Sequence, residues 1–212
     1  GNIQLGVLLI QTWQKHRFGP QEMRSYPPLV DQMSTAIQNL RLFEQTQAAL
    51  AETGLLYNIS NGISRATSLE EYLSLVGANA MPKNAESLWL FVANRSVEGG
   101  PQFYEITGSS DSTGQFKPHG GIVEASLFDF IDFSESEPII IPNLRNAVIP
   151  EQTQKLFRNL ELNSLAILPM QTAGTPVGLL VAGTNLIADL DNDDIHTLQV
   201  VASSIAVAIE RQ

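Results

Sequence analysis

The stretch Ser164-Leu-Ala-Ile-Leu-Pro-Met170, with Thr172-Ala-Gly-Thr175 and Val177-Gly-Leu-Leu-Val-Ala-Gly183 behind it, decides the fold of this chain. Two apolar runs of strand length flank a short turn that carries a glycine, which reads as a hairpin. Working outward, a helix begins near Asp191 and stays apolar-periodic to Ile209. Upstream, Glu151 to Leu160 reads as a helix behind Pro150, and Pro138-Ile-Ile-Ile-Pro142 as a short strand bounded by its prolines. Ser126 to Phe133 has apolar residues at helical spacing, and Ser109 to Gly121 is polar and glycine-bearing, hence a loop. Ser87 to Ala93 and Phe103 to Thr107 read as two strands joined by a turn at Glu98-Gly-Gly-Pro101. Thr67 or Ser68 caps a helix that runs through Leu73 and Val76, with Glu70 and Glu71 where the helix dipole favours negative charge. This order predicts an α+β fold, an antiparallel sheet with helices packed on one face.

Residues 5–40 repeat at 177–212 without a gap, at an offset of 172, the distance from Gly6 to Gly178. Leu8/Leu180, Thr12/Thr184, Ala36/Ala208 and Ile37/Ile209 are also identical, and Phe18/Leu190, Met23/Ile195, Leu29/Val201 and Met33/Ile205 match in kind. Each copy reads as strand, loop and helix, the first strand being Ile3 to Gln11 and the first helix opening at Pro20. Pro27-Pro28 is expected to break or kink that helix, because each proline removes a backbone donor. The expected organisation is the severed end of an upstream domain over residues 1–28, a long connecting helix over 29–64, and a complete domain over 65–212.

The connecting helix carries a heptad seam: Leu29, Met33, Ala36, Leu40, Phe43, Gln47, Leu50, Gly54, Tyr57. Spacings that alternate four and three mark a helix that packs along another helix. The stripe either folds back on its own domain or forms a parallel coiled coil between two chains. The second is preferred, because a connecting helix has little else to bury its stripe against. Leu29, Met33, Ala36, Leu40, Phe43, Leu50 and Tyr57 are therefore the expected dimer seam.

Composition excludes several partners. With 12 basic and 22 acidic residues the net charge is −10, against the basic stripe that nucleic-acid binding needs. No apolar run reaches the roughly 20 residues that span a bilayer, and no signal peptide is recognisable. With zero cysteines, disulfides, thiolate metal sites and cysteine nucleophiles are excluded, and the expected location is the cytoplasm.

The order of elements resembles a GAF domain, the small-molecule sensor fold related to PAS domains. Four stretches carry the likeness: Ala85 to Val92, Pro138 to Asn143, Leu160 to Pro169, and Gly174 to Val181 running into the last helix. The resemblance implies a GAF/PAS-like antiparallel sheet flanked by helices and preceded by a long helix. It also implies a tandem sensor module of a bacterial signalling protein such as a sensor histidine kinase of a two-component system. Its partners would be an unknown small-molecule ligand, a second copy bound through the helices, and adjacent domains of the full-length protein. Family members that hold a bilin covalently use a cysteine, as do those that reduce methionine sulfoxide, and this chain has none. Cyclic-nucleotide binders share an Asn-Lys, Phe, Asp-Glu pattern. Here Leu186 follows Asn185, Leu190 stands for Phe, and Ile195 follows Asp194, so the motif is half present. No resident cofactor is expected.

The resemblance places the ligand cavity on the sheet face opposite the terminal helices. Trp89, Phe91, Tyr104, His119, Phe128, Phe130, Asn143 and Arg145 are the pocket candidates it implies, with Arg145 suited to an anionic ligand. The alternative is that the aromatics are core and the domain is a ligand-free dimerising spacer. Asp189 to Asp194 is the densest acidic cluster, but Asp194 and Val200 stand where a calcium-binding loop needs Gly and Glu, so it reads as a helix start. His16, His119 and His196 have no metal-spaced neighbours. No P-loop, nucleophile elbow or dinucleotide fingerprint occurs, and no catalysis is expected.

Overall fold

A computed structural model describes residues 6–66, 68–94 and 100–210. The chain divides into two compact units, Gly1–Thr53 and Gly54–Gln212.

The first unit holds an extended segment and most of helix α1 (Pro20–Arg65). Pro20 opens α1, and Glu22 closes its first turn: the Gly19 N–H donates to the Glu22 carboxylate at 2.7 Å. His16 lies 3.1 Å from the same carboxylate, and both contacts hold the Glu22 carboxyl below its ordinary pKa, the Gly19 amide most strongly. The expected break at Pro27-Pro28 does not occur, since both prolines lie inside the helix. They cost the bonds to the Met23 and Arg24 carbonyls. Both residues are exposed, so water reaches those oxygens and the helix continues. The expected strand is also absent over residues 6–11. Strand geometry is held by a ladder, and no described strand pairs with this segment. Leu8 and Ile10 are about half as exposed as Val7 and Leu9, the period-two pattern of an extended chain with one covered face. Gly6, Val7 and Leu8 border a groove of about 120 Å³ with Val30, Met33, Ser34 and Ile37 of α1.

The second unit is a six-stranded antiparallel sheet in the order β3-β2-β1-β6-β5-β4. Its strands are β1 (Ser87–Ala93), β2 (Phe103–Asp111), β3 (Phe116–Glu124), β4 (Ile139–Ile141), β5 (Ser164–Thr172) and β6 (Thr175–Thr184). The hairpin of the deciding stretch is β5–β6, with β6 beside β1 at the centre, and it turns through Ala173 and Gly174 at positive φ. Helices α2 (Leu69–Ala80) and α4 (Asn192–Glu210) cover one face. Ser68 caps α2 by accepting the Glu71 N–H, and Asp191 caps α4 by accepting the Asp193 N–H at 3.0 Å. Their apolar residues, among them Leu73, Val76, Leu198, Ala202 and Ile205, pack on Leu88, Leu90, Ala166, Leu168, Leu180 and Ala182.

The opposite face is covered by α3 (Glu151–Asn159) and 3-10 turns at Ala125–Phe128 and Leu144–Asn146. Helical residues thus lie on both faces instead of one. The helix expected over 126–133 is only the turn Ala125–Phe128 and a following loop. The loop expected over Ser109–Gly121 is mostly strand, the end of β2 and most of β3. An edge strand with one paired side and open faces needs no apolar alternation, and β3 accordingly reads as polar. Gly108 admits it closely, because a Cβ there would meet the Lys117 carbonyl at 2.5 Å. Asp111 closes the hairpin by accepting from Thr113 N and Oγ1 and from Gln115 N, which holds its carboxyl below the ordinary range, the Thr113 hydroxyl most strongly. Glu98 and Gly99, the first half of the turn expected at Glu98–Pro101, lie outside the described residues.

Candidate functional site

Strand β1 is apolar on both sides, so its sequence does not say which residues face which layer. The structure separates them: Leu88 and Leu90 lie under α2 and α4, while Trp89 and Phe91 point to the face of α3. On that face the aromatics close the space above the sheet. Phe128, carried in by the 3-10 turn, sits 5.8 Å from Phe91, 5.3 Å from Tyr104 and 6.3 Å from Phe157 of α3, ring centre to ring centre. These are the edge and tilted geometries that aromatic clusters favour. Ile106, Leu144, Leu165, Ile167, Leu179 and Val181 complete the layer. The Thr153 hydroxyl ties α3 to the turn by donating to the Leu127 carbonyl at 2.6 Å. Burial, and then the charge of Asp129, pushes the Tyr104 phenol up to about 12.

Space remains at one end of this face. Antiparallel register sets Trp89 beside Ser109 and Ser109 beside Lys117, one row across β1, β2 and β3. With Glu86, Ser87, Pro118, His119, Leu160, Glu161 and Asn185 this row lines a cleft of about 380 Å³. Trp89 and His119 meet edge to face at 5.5 Å, and the indole N–H donates to Ser87 Oγ at 3.1 Å. Glu86 is held in place, its carboxylate accepting from Thr184 Oγ1 at 2.8 Å and from Asn185 N at 3.3 Å. Ser164 fixes the loop below: its hydroxyl lies 2.6 Å from the Pro142 carbonyl and 2.8 Å from that of Leu186, and it accepts the Ala188 N–H at 2.8 Å. The cleft is polar, carries both signs of charge, and has one aromatic wall.

Of the eight pocket candidates, Trp89 and His119 meet in this cleft. Phe91, Tyr104 and Phe128 are in the aromatic core, and Phe130 packs against its edge. Asn143 spends its side chain on the chain turn, accepting the Arg145 N–H at 3.0 Å, and Arg145 is exposed; neither lines the cleft. Sequence reasoning passed over Glu86, Ser87, Ser109, Lys117 and Glu161, and read Asn185 only as part of the half-present cyclic-nucleotide pattern. The one available signal was the polar alternation of Lys117 and His119 around Pro118, which is legible only once 116–124 is taken as a strand. Asp191 and Asp194 are engaged with backbone amides, the latter accepting the Lys83 N–H at 3.0 Å. Among the described residues no three His, Asp or Glu converge to hold a metal ion.

The profile of the family described as GAF domain matches residues 47–209. The chain belongs to the GAF domain family. This GAF domain is similar in structure to the GAF domain of a phosphoenolpyruvate-protein phosphotransferase from Coxiella burnetii, with TM-score 0.59 and 16% identity, over 77% of this chain and 95% of that one. The corresponding domain from Acinetobacter superposes with TM-score 0.56 at 17% identity, over 76% and 93%. The chromophore-binding domain of an unusual bacteriophytochrome from R. palustris superposes with TM-score 0.59 at 6% identity, over 75% of this chain; the match spans only 60% of that chain's length. At these identities the likeness is one of fold. A search of curated proteins finds no match.

Proposed function

We propose that this GAF domain is a non-catalytic regulatory module of a signalling protein that works through its helices, with α1 as a dimerising and connecting element. One observation carries the reading: the seam residues Leu29, Met33, Leu40, Phe43, Leu50 and Tyr57 are all exposed along a 46-residue helix. A stripe of that length left in water is a binding surface. The repeat supports placing an upstream GAF repeat before it, since the offset of 172 carries Pro20, the first residue of α1, onto Asn192, the first residue of α4. Residues 1–28 would then be the end of that repeat, 29–64 the connector and 65–212 the complete domain. The absence of cysteine and the charge of −10 support a cytoplasmic setting with neither nucleic acid nor membrane as partner. No helix among the described residues is long and apolar enough to cross a membrane.

The test is sedimentation velocity with light scattering on the 212-residue chain and on a Phe43→Glu, Leu50→Glu double variant. The wild type is expected to be dimeric and the variant monomeric with unchanged helicity. A wild type that stays monomeric at high concentration would overturn this reading.

A second reading is favoured by the Trp89–His119 cleft: a small polar molecule bound there shifts the population of helix arrangements. The packed aromatic layer beside the cleft supports a ligand seated at that end of the sheet and not in the interior. Mass spectrometry of small molecules released from the purified chain, with Trp89 fluorescence in a Trp13→Phe background as the binding readout, tests it. A clean release fraction and no ligand-dependent fluorescence change would leave the domain as a spacer.

A further inference from the structure

Assigning heptad positions to the seam puts Met33, Leu40, Gln47 and Gly54 at a, and Leu29, Ala36, Phe43, Leu50 and Tyr57 at d. Both residues that weaken the seam therefore fall in one class of layer. We infer that two copies of α1 pair parallel and in register, with Gln47 facing its own copy and setting the alignment; this rests on the dimer reading above and specifies its geometry.

The area suffices. The six large seam side chains are between 45% and 67% exposed. At about 200 Å² for each large side chain, that is about 700 Å² per helix and about 1,400 Å² for a pair. Stable interfaces begin near 1,200 Å² in total. The occupant is a second copy of this chain because the surface is self-complementary: a heptad stripe is matched in length and spacing by its own copy.

Orientation follows from where the polar residue falls. In a parallel pair, a layers meet a layers. Gln47 meets Gln47, and each amide has both a donor and an acceptor for the other. Gly54 meets Gly54, so the two defects occupy two layers. In an antiparallel pair, a layers meet d layers. Each Gln47 amide would then face Leu29, Ala36, Phe43, Leu50 or Tyr57, none of which supplies a carbonyl or amide partner from its side chain. The four defective positions would also spread over four layers. The flanking e and g positions Val30, Gln32, Ile37, Asn39, Glu44 and Thr46 hold a single charge, so no electrostatic pattern competes with the a-layer choice.

The chain has no cysteine, so an introduced thiol reports one pair. Leu40→Cys, Leu50→Cys and Gln45→Cys would each be exposed to a mild oxidant in the 212-residue chain and resolved by non-reducing electrophoresis. Leu40→Cys and Leu50→Cys are expected to link to themselves, and Gln45→Cys, on the far side of the helix, is not. Positions 40 and 50 lie about 15 Å apart along the axis. An antiparallel pair brings like residues together at its centre alone, so it cannot link both. Spin labels at the exposed Gln38→Cys and Gln45→Cys read the geometry without touching the seam: a parallel pair gives equal inter-label distances, an antiparallel pair unequal ones. Gln47→Leu is expected to tighten the dimer by about tenfold and to lose the single register. A dimer that self-links at one of positions 40 and 50 or at neither, with unequal spin-label distances, overturns the parallel register while leaving dimerisation standing. A monomeric wild type overturns both.

Discussion

Replacing Phe128 with alanine tests whether the sheet face opposite the long helices is a packed core or a chamber. Phe128 is buried and is ringed by Phe91, Tyr104 and Phe157 at 5.3–6.3 Å. Removing a buried phenylalanine costs about 3–5 kcal/mol, part of it the lost ring contacts of about 0.5–1.5 kcal/mol each. The upper half of that range applies here, because the walls are the sheet on one side and α3 on the other. The Thr153 hydroxyl anchors α3 to the Leu127 carbonyl, so the site collapses little. A loss of about 4 kcal/mol lowers the urea midpoint by about 1.3–2 M for a slope of about 2–3 kcal/mol/M. Equilibrium unfolding followed by circular dichroism measures it. A second readout is Tyr104, whose phenol is held up to about 12 chiefly by burial. Opening the cavity lets water reach that hydroxyl, and its ultraviolet titration moves back towards 10. The variant is also expected to take up benzene-sized apolar molecules. A stability loss under about 1 kcal/mol with an unmoved Tyr104 titration would refute the packed face and reopen the interior to a ligand.

Three further outcomes are expected. Gly178→Ala should cost about 2–3 kcal/mol, since its Cβ would meet the Phe91 carbonyl at 2.2 Å in the β1–β6 ladder; Gly6→Ala, its repeat partner, has nothing within 4 Å and should change stability by less than about 0.5 kcal/mol. Thermal melts of the two variants compare them directly. Ser164→Ala leaves the Ala188 N–H without its acceptor and should cost about 2 kcal/mol, with faster amide exchange at Ala188 than in the wild type. The Tyr104 phenol titrates higher in the folded chain than its ordinary 10.0, so its contribution to stability is fully present below pH 10 and is lost as pH rises towards 12; denaturation midpoints across that window should fall, and should fall less in Tyr104→Phe.

Much of the fold was legible in local pattern. Helix starts at Ser68 and Asp191 follow from side-chain oxygens that satisfy free amides, and the β5–β6 hairpin follows from two apolar runs around Ala173-Gly174. The heptad stripe of α1 is a property of spacing alone. Where the reading failed, the deciding interaction was not local. Strand β3 has ordinary polar composition and exists because β2 offers it a ladder. Gly6 to Gln11 has strand composition and, without a ladder, stays outside any sheet.

The candidate site divides in the same way. The sequence by itself determined that no thiol chemistry occurs and that a long apolar stripe runs along the connecting helix; the resemblance alone implied that aromatics would gather on the second layer of the sheet. Only the tertiary structure decided which of Trp89 and Phe91 lines a cleft and which fills a core. Both point to the same face of β1, so no periodicity separates them; what differs is the neighbour each receives. Phe128 arrives over Phe91 from a turn 37 residues along the chain, while Trp89 receives His119 and the polar row of Ser109 and Lys117. Packing partners brought in across the sheet turned two equivalent aromatic positions into one structural and one accessible side chain.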